Sequence, residues 1–137
     1  MNGVPAFDQY IGIDYSGAQT PSSSLKGLRV YMADRISSPF EVQPPVGLRK
    51  YWTRRGVAEW LAKLLSGQKP ILVGIDHGFS FPLQYFQEND VPLNWRAFLD
   101  DFYRHWPTDE DDVYVDFVRE GIAAMRLRDQ AIRGGGA

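Results

Sequence analysis

Residues 70–82 read PILVGIDHGFSFP, and this stretch decides the predicted fold. It begins with a proline, continues through Ile71–Ile75 without a charged side chain, and stops on Asp76, His77 and Gly78. An uncharged run that ends at polar residues is typical of a central strand buried on both faces. Because ligands collect at the carboxyl ends of strands in α/β sheets, Asp76 is the first candidate for a functional residue.

The tripeptide Gly-Ile-Asp ends this strand at residues 74–76, and it also occurs earlier, at residues 12–14. The alternation of side chains along a strand places the glycine and the aspartate of each copy on the same face. A glycine two residues before a carboxylate leaves room beside it. Asp14 is therefore the second candidate.

The composition is that of an ordinary globular protein. The 137 residues are 44% hydrophobic and 23% charged, with a net charge of −2 and no cysteine. They predict a single domain over residues 1–137, with a loose arm at residues 1–8 and a flexible tail at residues 134–137. Without a signal-peptide pattern or a long apolar run, the sequence predicts a cytoplasmic protein with no membrane partner.

The elements that lead to Asp76 can be placed by pattern. Thr53 is suited to cap a helix through Ser66, which would cross over to make the Asp76 strand parallel to the first strand. The short connections between the earlier strands imply antiparallel pairing. Those strands are predicted at Tyr10–Tyr15, Leu28–Ala33 and Ile36–Val42.

Helices are predicted after Pro82. A short aromatic segment, Leu83–Phe86, precedes a helix that begins at Asn94, and a long helix is predicted from Thr108 to about Arg133, with Asp111 completing a capping box. Its inward stripe would comprise Tyr114, Phe117, Val118, Gly121, Ile122 and Met125. The acidic stripe Asp112, Asp116 and Glu120 would lie on one solvated face, where one member could supply a metal ligand.

Two motifs carry a resemblance to a known family. GIDYSGA at residues 12–18 and VGIDHGFSFP at residues 73–82 resemble a family of predicted nucleases with the ribonuclease H-like fold, whose function is largely uncharacterised. The resemblance covers residues 10–82. It implies an α/β fold with a mixed sheet, in which strands 1–3 are antiparallel and strand 4 is parallel to strand 1. It also implies a metal-dependent nuclease or phosphodiesterase that acts on nucleic acid, with Asp14 and Asp76 at the family's aspartate positions.

Elementary chemistry agrees with this implication. Neighbouring strands lie about 4.8 Å apart, so same-face residues at adjacent strand ends can share an ion, and Mg²⁺ or Mn²⁺ prefers carboxylate oxygens. Paired ions can stabilise both the attacking and the leaving oxygen of a phosphodiester. His77 is either a third metal ligand or proton shuttle, or a strand-end residue that bonds to backbone or solvent.

The chain departs from the family after Leu93, where nearly every segment has a helical pattern. Full ribonuclease H-like domains continue into a fifth strand and a last helix that carry further metal-binding acids. The chain therefore resembles the amino-terminal part of such a domain, and we expect a poor or inactive enzyme. The Asp76 strand would then be a sheet edge, covered by the later helices or paired with a second copy in a homodimer.

Two further groups have a functional and an ordinary interpretation. Ser16, Gly17 and Thr20 resemble a phosphate-cradling loop, and the same residues are also ordinary turn formers. The cluster Arg49, Lys50, Arg54 and Arg55 could track phosphates or could be a solvated helix entrance.

Two other functions compete with the nuclease. An actin-like or sugar-kinase-like ATPase begins with a similar strand and loop, but its loop is richer in glycine and its second phosphate-binding strand typically ends in Asp-x-Gly-Gly, unlike residues 76–79. The third candidate is a non-catalytic domain that binds a partner. Only the nuclease requires Asp14 and Asp76 to be accessible, mutually close and without a neutralising Lys or Arg.

Overall fold

The computed structural model describes residues 3, 6–47 and 49–121. Residues up to Gly78 form one compact unit, except that Ala18–Pro21 group with a second unit that begins at Phe79. The elements of the first unit are β1 (Gln9–Asp14), β2 (Arg29–Asp34), β3 (Phe40–Glu41), α1 (Arg54–Leu65) and β4 (Ile71–Ile75). The second unit contains α2 (Leu83–Glu88) and α3 (Trp95–His105), and residues 115–121 are also helical.

The sheet of the first unit has the strand order β3-β2-β1-β4. β1 is antiparallel to β2 and parallel to β4, and β2 is antiparallel to β3. The predicted α/β class and the mixed sheet are therefore confirmed, and the boundaries of β1 and β2 lie one residue from the predicted ones.

The sheet has a buried face and an open face, because side chains alternate along each strand. Ile11 and Ile13 of β1 are each 3% exposed, whereas Gly12 and Asp14 between and after them are exposed. Val57 of α1 belongs to the core cluster on the buried face. The other buried members of this cluster are Leu25, Leu28, Val30 and Trp52.

Helix α1 begins and ends as its sequence predicts. The Thr53 side chain accepts a hydrogen bond from the backbone N–H of Gly56, and the backbone N–H of Ser66 donates to the carbonyl of Ala62. Capping satisfies backbone groups that the helix itself leaves unpaired. In the chain, α1 connects β3, at one edge of the sheet, to β4, at the other edge. A crossover of this kind allows β4 to lie parallel to β1.

The prediction that residues 71–75 form a central strand buried on both faces is wrong. β4 pairs only with β1 among the described strands, and its side chains alternate between half-buried and exposed. Hydrophobic residues on the outer face of an edge strand mimic the uninterrupted pattern of a central strand. Leu72, which is 48% exposed, is such a residue. The alternative prediction, that this strand is a sheet edge, is confirmed for the described residues.

The third strand is shorter than predicted, because a turn occupies its first half. The Asp34 carboxylate accepts hydrogen bonds from the backbone N–H groups of Ser37 and Ile36, at 2.5 and 2.8 Å. These bonds stabilise the charged form and lower the pKa of Asp34. Ile36 is consequently turned into solvent at 96% exposure, and strand pairing starts only at Phe40, after Pro39.

The second unit is held together by aromatic side chains. Phe86, Val91 and Phe98 form its buried cluster, and Phe81 contacts Phe98 edge-on at 5.4 Å between ring centroids. Asn94 caps α3 by accepting a hydrogen bond from the N–H of Ala97, as its sequence predicts. None of the helices in the described ranges is both long and apolar enough to cross a bilayer.

The prediction of a helix from Thr108 is wrong, because residues 108–112 form turns and helical structure begins at residue 115. Three of the four residues at 109–112 are aspartates, which have a low helix propensity and favour turns. Asp112 therefore lies outside the helix that carries Asp116, and Phe117 of the predicted inward stripe is 66% exposed. The predicted continuation to Arg133, with Ile122 and Met125, and the predicted tail at 134–137 lie outside the described residues.

Candidate metal site on the open face of the sheet

Asp14 and Asp76 lie at the ends of adjacent parallel strands. Ile13 pairs with Ile75 in the β1–β4 register, and each aspartate follows directly. The backbone N–H of Asp76 donates to the carbonyl of Ile13 at 2.9 Å, which carries the parallel ladder one residue beyond the strand. This arrangement confirms the predicted adjacency of the two residues.

Both aspartates belong to the open face. They are exposed and follow Gly12 and Gly74, which are themselves paired across the two strands. A Cβ built on Gly12 would meet no atom within 4 Å, and one on Gly74 would meet only the Ile11 carbonyl oxygen at 3.9 Å. A strip of bare backbone therefore lies directly beside the two carboxylates, as the tripeptide repeat predicts.

Neither aspartate uses its carboxylate to hold the fold together. Within the described part of the chain, the Asp14 and Asp76 side chains make no hydrogen bond and no ion pair. By contrast, Asp34 holds a turn and Asp8 pairs with Arg35 at 2.9 Å. Two exposed carboxylates without a structural role, side by side at strand ends, are suited to binding a cation.

The sequence reasoning missed a cation on the same face. Arg29 is the β2 partner of Asp14 in the antiparallel register, so its side chain leaves the sheet on the same side. Its guanidinium is held by Glu41, with the Nη1 nitrogen 2.8 and 3.0 Å from the two carboxylate oxygens. This hydrogen bond and the charge of Glu41 raise the pKa of Arg29.

The open face thus carries a row of charged positions across its strands, Asp76, Asp14 and Arg29, and Glu41 lies on the same face. Arg29 forms its ion pair with Glu41, and none joins it to Asp14. A period-2 pattern in residues 29–34 could have indicated that Arg29 lies on the open face. The register with Asp14 was not predictable, because a long loop joins the two strands.

His77 makes local contacts. Its Nδ1 nitrogen donates a hydrogen bond to the carbonyl oxygen of Gly78 at 2.6 Å. Its ring lies 5.1 Å from that of Tyr15, which packs on the core cluster of the buried face. The backbone hydrogen bond corresponds to the structural interpretation of His77.

No group of three or more His, Asp or Glu side chains is placed to hold a metal within the described residues. Asp14, Asp76 and His77 therefore do not form a three-ligand cluster in this structure.

The loop at residues 16–27 serves the fold. The Ser24 hydroxyl donates to the carbonyl of Tyr51 and accepts from the N–H of the same residue, both at 3.0 Å. Ser16 is half-buried and Gly17 is exposed, and Gln19 of the same loop has a positive φ angle of 56°. Ser24 thus ties the loop to the segment before α1.

Part of the basic cluster is engaged locally. The Arg49 guanidinium donates a hydrogen bond to the carbonyl of Ser22. The Lys50 ammonium lies 5.4 Å from the centre of the Tyr51 ring. These two cations thus stabilise the segment before α1.

Comparisons with protein-family models, with curated proteins and with solved structures found no match for this chain. The resemblance to ribonuclease H-like nucleases consequently remains a prediction from two sequence motifs.

Proposed function

We propose that the protein is a divalent-metal-dependent phosphodiesterase of the ribonuclease H-like type, with nucleic acid as its substrate. The observation that carries the proposal is the position of Asp14 and Asp76 at corresponding ends of two adjacent parallel strands, on the same open face. The strand order β3-β2-β1-β4, with only β4 parallel to β1, supports the ribonuclease H-like assignment.

The residues present fit a hard cation as a partial ligand set. Asp14 and Asp76 would hold Mg²⁺ or Mn²⁺, since both carboxylates are exposed and have no other partner among the described residues. Water or groups on the substrate would complete the octahedral shell, as is usual for Mg²⁺. The bound ion would supply Lewis-acid stabilisation of charge on a phosphoryl oxygen.

The other residues of the open face would bind and position the substrate. Arg29 places its guanidinium on the same face; Nη1 is bonded to Glu41 and Nε to the Lys26 carbonyl, so Nη2 would be the group that donates to a phosphate oxygen. The bare backbone at Gly12 and Gly74 would let a nucleic acid strand approach the sheet closely. With few protein ligands available, we expect slow turnover.

A cleavage assay tests this function. Single-stranded and duplex nucleic acid are incubated with the protein and Mg²⁺ or Mn²⁺, and the assay is repeated with Asp14→Asn and Asp76→Asn. Each variant keeps the side-chain shape and removes one charge, so we expect cleavage to collapse. Glu59→Gln is the control, because Glu59 is an exposed carboxylate on α1, which packs on the buried face.

The assay also separates the competing functions. Cleavage that persists in both aspartate variants would contradict the proposal. ATP hydrolysis without cleavage would favour the actin-like alternative, and metal binding without either activity would favour a non-catalytic domain.

One observation favours a partner-binding domain as the second candidate. The second unit has an apolar groove of about 340 Å³, whose lining includes Phe81, Leu93 and Trp95. Leu93 is 75% exposed and Trp95 is 54% exposed. Exposed aromatic side chains of this kind are common in binding surfaces.

A further inference from the structure

We propose that the ring of Tyr31 stacks on a nucleobase of the substrate, so that the site on the open face takes single-stranded nucleic acid. This inference rests on the proposed phosphodiesterase function, and it adds a substrate class and the residue that selects it. A base in a duplex is already stacked and paired with its neighbours. Its face is therefore free for an aromatic side chain only in a single strand.

Tyr31 lies on the open face beside the bare strip. It pairs with Gly12 in the antiparallel β1–β2 register, and Gly12 pairs with Gly74 in the parallel β1–β4 register. Since Asp14 pairs with the residue two positions before Tyr31, these two are diagonal neighbours across the strands. Such neighbours lie about 7–8 Å apart, a separation that an aromatic side chain can span.

The side chain of Tyr31 leans toward the Asp14 end of the sheet. Glu41 raises the pKa of Arg29 most, through its hydrogen bond and its charge, and Tyr31 raises it further. The hydroxyl is the polar group with which a tyrosine side chain can interact with a guanidinium in this way. The phenol end of Tyr31 therefore lies near Arg29, which is the register partner of Asp14.

The ring of Tyr31 is available to a ligand. An aromatic residue can shield a glycine on the neighbouring strand, but a Cβ built on Gly12 would meet no atom within 4 Å, so the ring does not lie over Gly12. Tyr31 is 43% exposed, and within the described residues its ring contacts no other aromatic ring. By contrast, Tyr10 on the same face contacts the ring of Phe7, at 6.2 Å between centroids.

The groups around Tyr31 favour a nucleotide over other ligands with a flat ring. The metal ion held by Asp14 and Asp76 would bind a phosphate, and the diagonal position of Tyr31 places an aromatic surface beside that phosphate. A nucleotide carries both a phosphate and a flat base, so a single ligand can use both groups. Because every base has a π-face, we expect this stacking to tolerate any base sequence.

A binding experiment with two strands of equal length tests the inference. One strand is oligothymidine, and the other is an abasic strand with the same phosphates and no bases. Binding is measured by fluorescence anisotropy with Mn²⁺ on ice, where slow turnover leaves the strands intact. We expect the parent chain to bind oligothymidine more tightly than the abasic strand.

The Tyr31→Val variant removes the ring and keeps a side chain suited to a strand. Its dissociation constant for oligothymidine should rise by about 5- to 100-fold, the usual loss of one stacked base, while that for the abasic strand stays constant. Tyr31→Phe should keep the preference for bases. Phe40→Val is the matched control, since Phe40 is 48% exposed but pairs with Met32 on the opposite face of the sheet.

Photo-cross-linking of the unmodified chain keeps the inference testable if a Tyr31 variant fails to fold. A single strand that carries 5-iodouracil in place of thymine is irradiated with the Mn²⁺-loaded protein, and the modified peptide is located by mass spectrometry. We expect the cross-link at Tyr31, and much less of it with the same strand in a duplex. Cross-links only at other residues would overturn the inference.

The outcomes separate the stacking from the proposed function. Cleavage by a parent chain that binds both strands equally would overturn the stacking and support the phosphodiesterase. Base-dependent binding that is lost in Tyr31→Val, without any cleavage, would support the stacking and contradict the phosphodiesterase. A preference for bases that persists in Tyr31→Val, or a folded parent that binds neither strand, would overturn the inference.

Discussion

Asp76 stands directly beside Asp14, one position beyond the Ile13–Ile75 pair of two parallel strands. At this point both strands emerge from the sheet, so both carboxylates are exposed while their backbones remain fixed by the ladder. The ladder thus fixes the backbone of both residues, and no hydrogen bond from the described residues holds either carboxylate in one orientation.

Glu41 should protect the proposed metal site, because it pairs with the Arg29 guanidinium, which would otherwise be available to Asp14. The Glu41→Gln variant removes the negative charge that pairs with Arg29. We then expect the Arg29 guanidinium to turn toward Asp14 and compete with the metal ion for its carboxylate. The dissociation constant for Mn²⁺, measured by calorimetry, should rise. In the double variant Arg29→Gln/Glu41→Gln it should return to the parent value or below, and an unchanged affinity in Glu41→Gln would show that Arg29 does not reach Asp14.

Gly12→Val tests whether the bare strip admits substrate. The new side chain enters open space, and a β-branched residue suits a strand better than glycine, so the free energy of unfolding should stay constant or rise by up to about 1 kcal/mol. Cleavage should fall by roughly 100-fold, the usual cost of displacing a substrate by about 1 Å. Thermal melts and the cleavage assay measure the two effects.

The control for this variant is Ala33→Val, at the opposite end of the β1–β2 pair, where Ala33 faces Tyr10. It adds bulk far from the carboxylates and should leave cleavage unchanged. Full activity in Gly12→Val would exclude substrate from the open face.

Tyr85 and Asp101 should make the second unit sensitive to alkaline pH. The Tyr85 hydroxyl donates to a carboxylate oxygen of Asp101 at 2.5 Å, and this bond, with burial, raises the pKa of Tyr85 to about 12. Since the ordinary value is about 10, the stabilisation is complete below pH 10 and is lost as the pH rises through 12.

Tyr85→Phe should therefore reduce the free energy of unfolding by about 1 kcal/mol at neutral pH and remove most of its decline between pH 10 and 12. Denaturant melts across this range measure the effect. Phenol absorbance should show that the late-titrating tyrosine of the parent is missing from the variant, and an unchanged titration curve would contradict the assignment.

Much of the first unit could be predicted because its signals are local. Thr53 and the apolar spacing of α1 define the helix, and the repeated Gly-Ile-Asp marks the ends of β1 and β4. The shortened β3 was missed because Asp34 closes a turn with its side chain, and such a bond competes with a strand pattern.

The candidate site was only half predictable. Strand alternation placed Asp14 and Asp76 on one face, but the position of Arg29 depends on the β1–β2 register, and a shift by one residue would move it to the other face. The edge position of β4 followed only from the expectation that helices, and no further strand, come after Leu93, since nothing within residues 71–75 distinguishes an edge strand from a central one.

Titration with Mn²⁺ tests the central claim most directly. Electron paramagnetic resonance counts free Mn²⁺, and a thermal melt records the stabilisation, which is about 2.7 kcal/mol at 100 times the dissociation constant. The parent and Glu59→Gln should bind Mn²⁺ and melt at a higher temperature, whereas Asp14→Asn and Asp76→Asn should each lose both effects. Equal binding by all four proteins, or none by the folded parent, would contradict a metal site formed by Asp14 and Asp76.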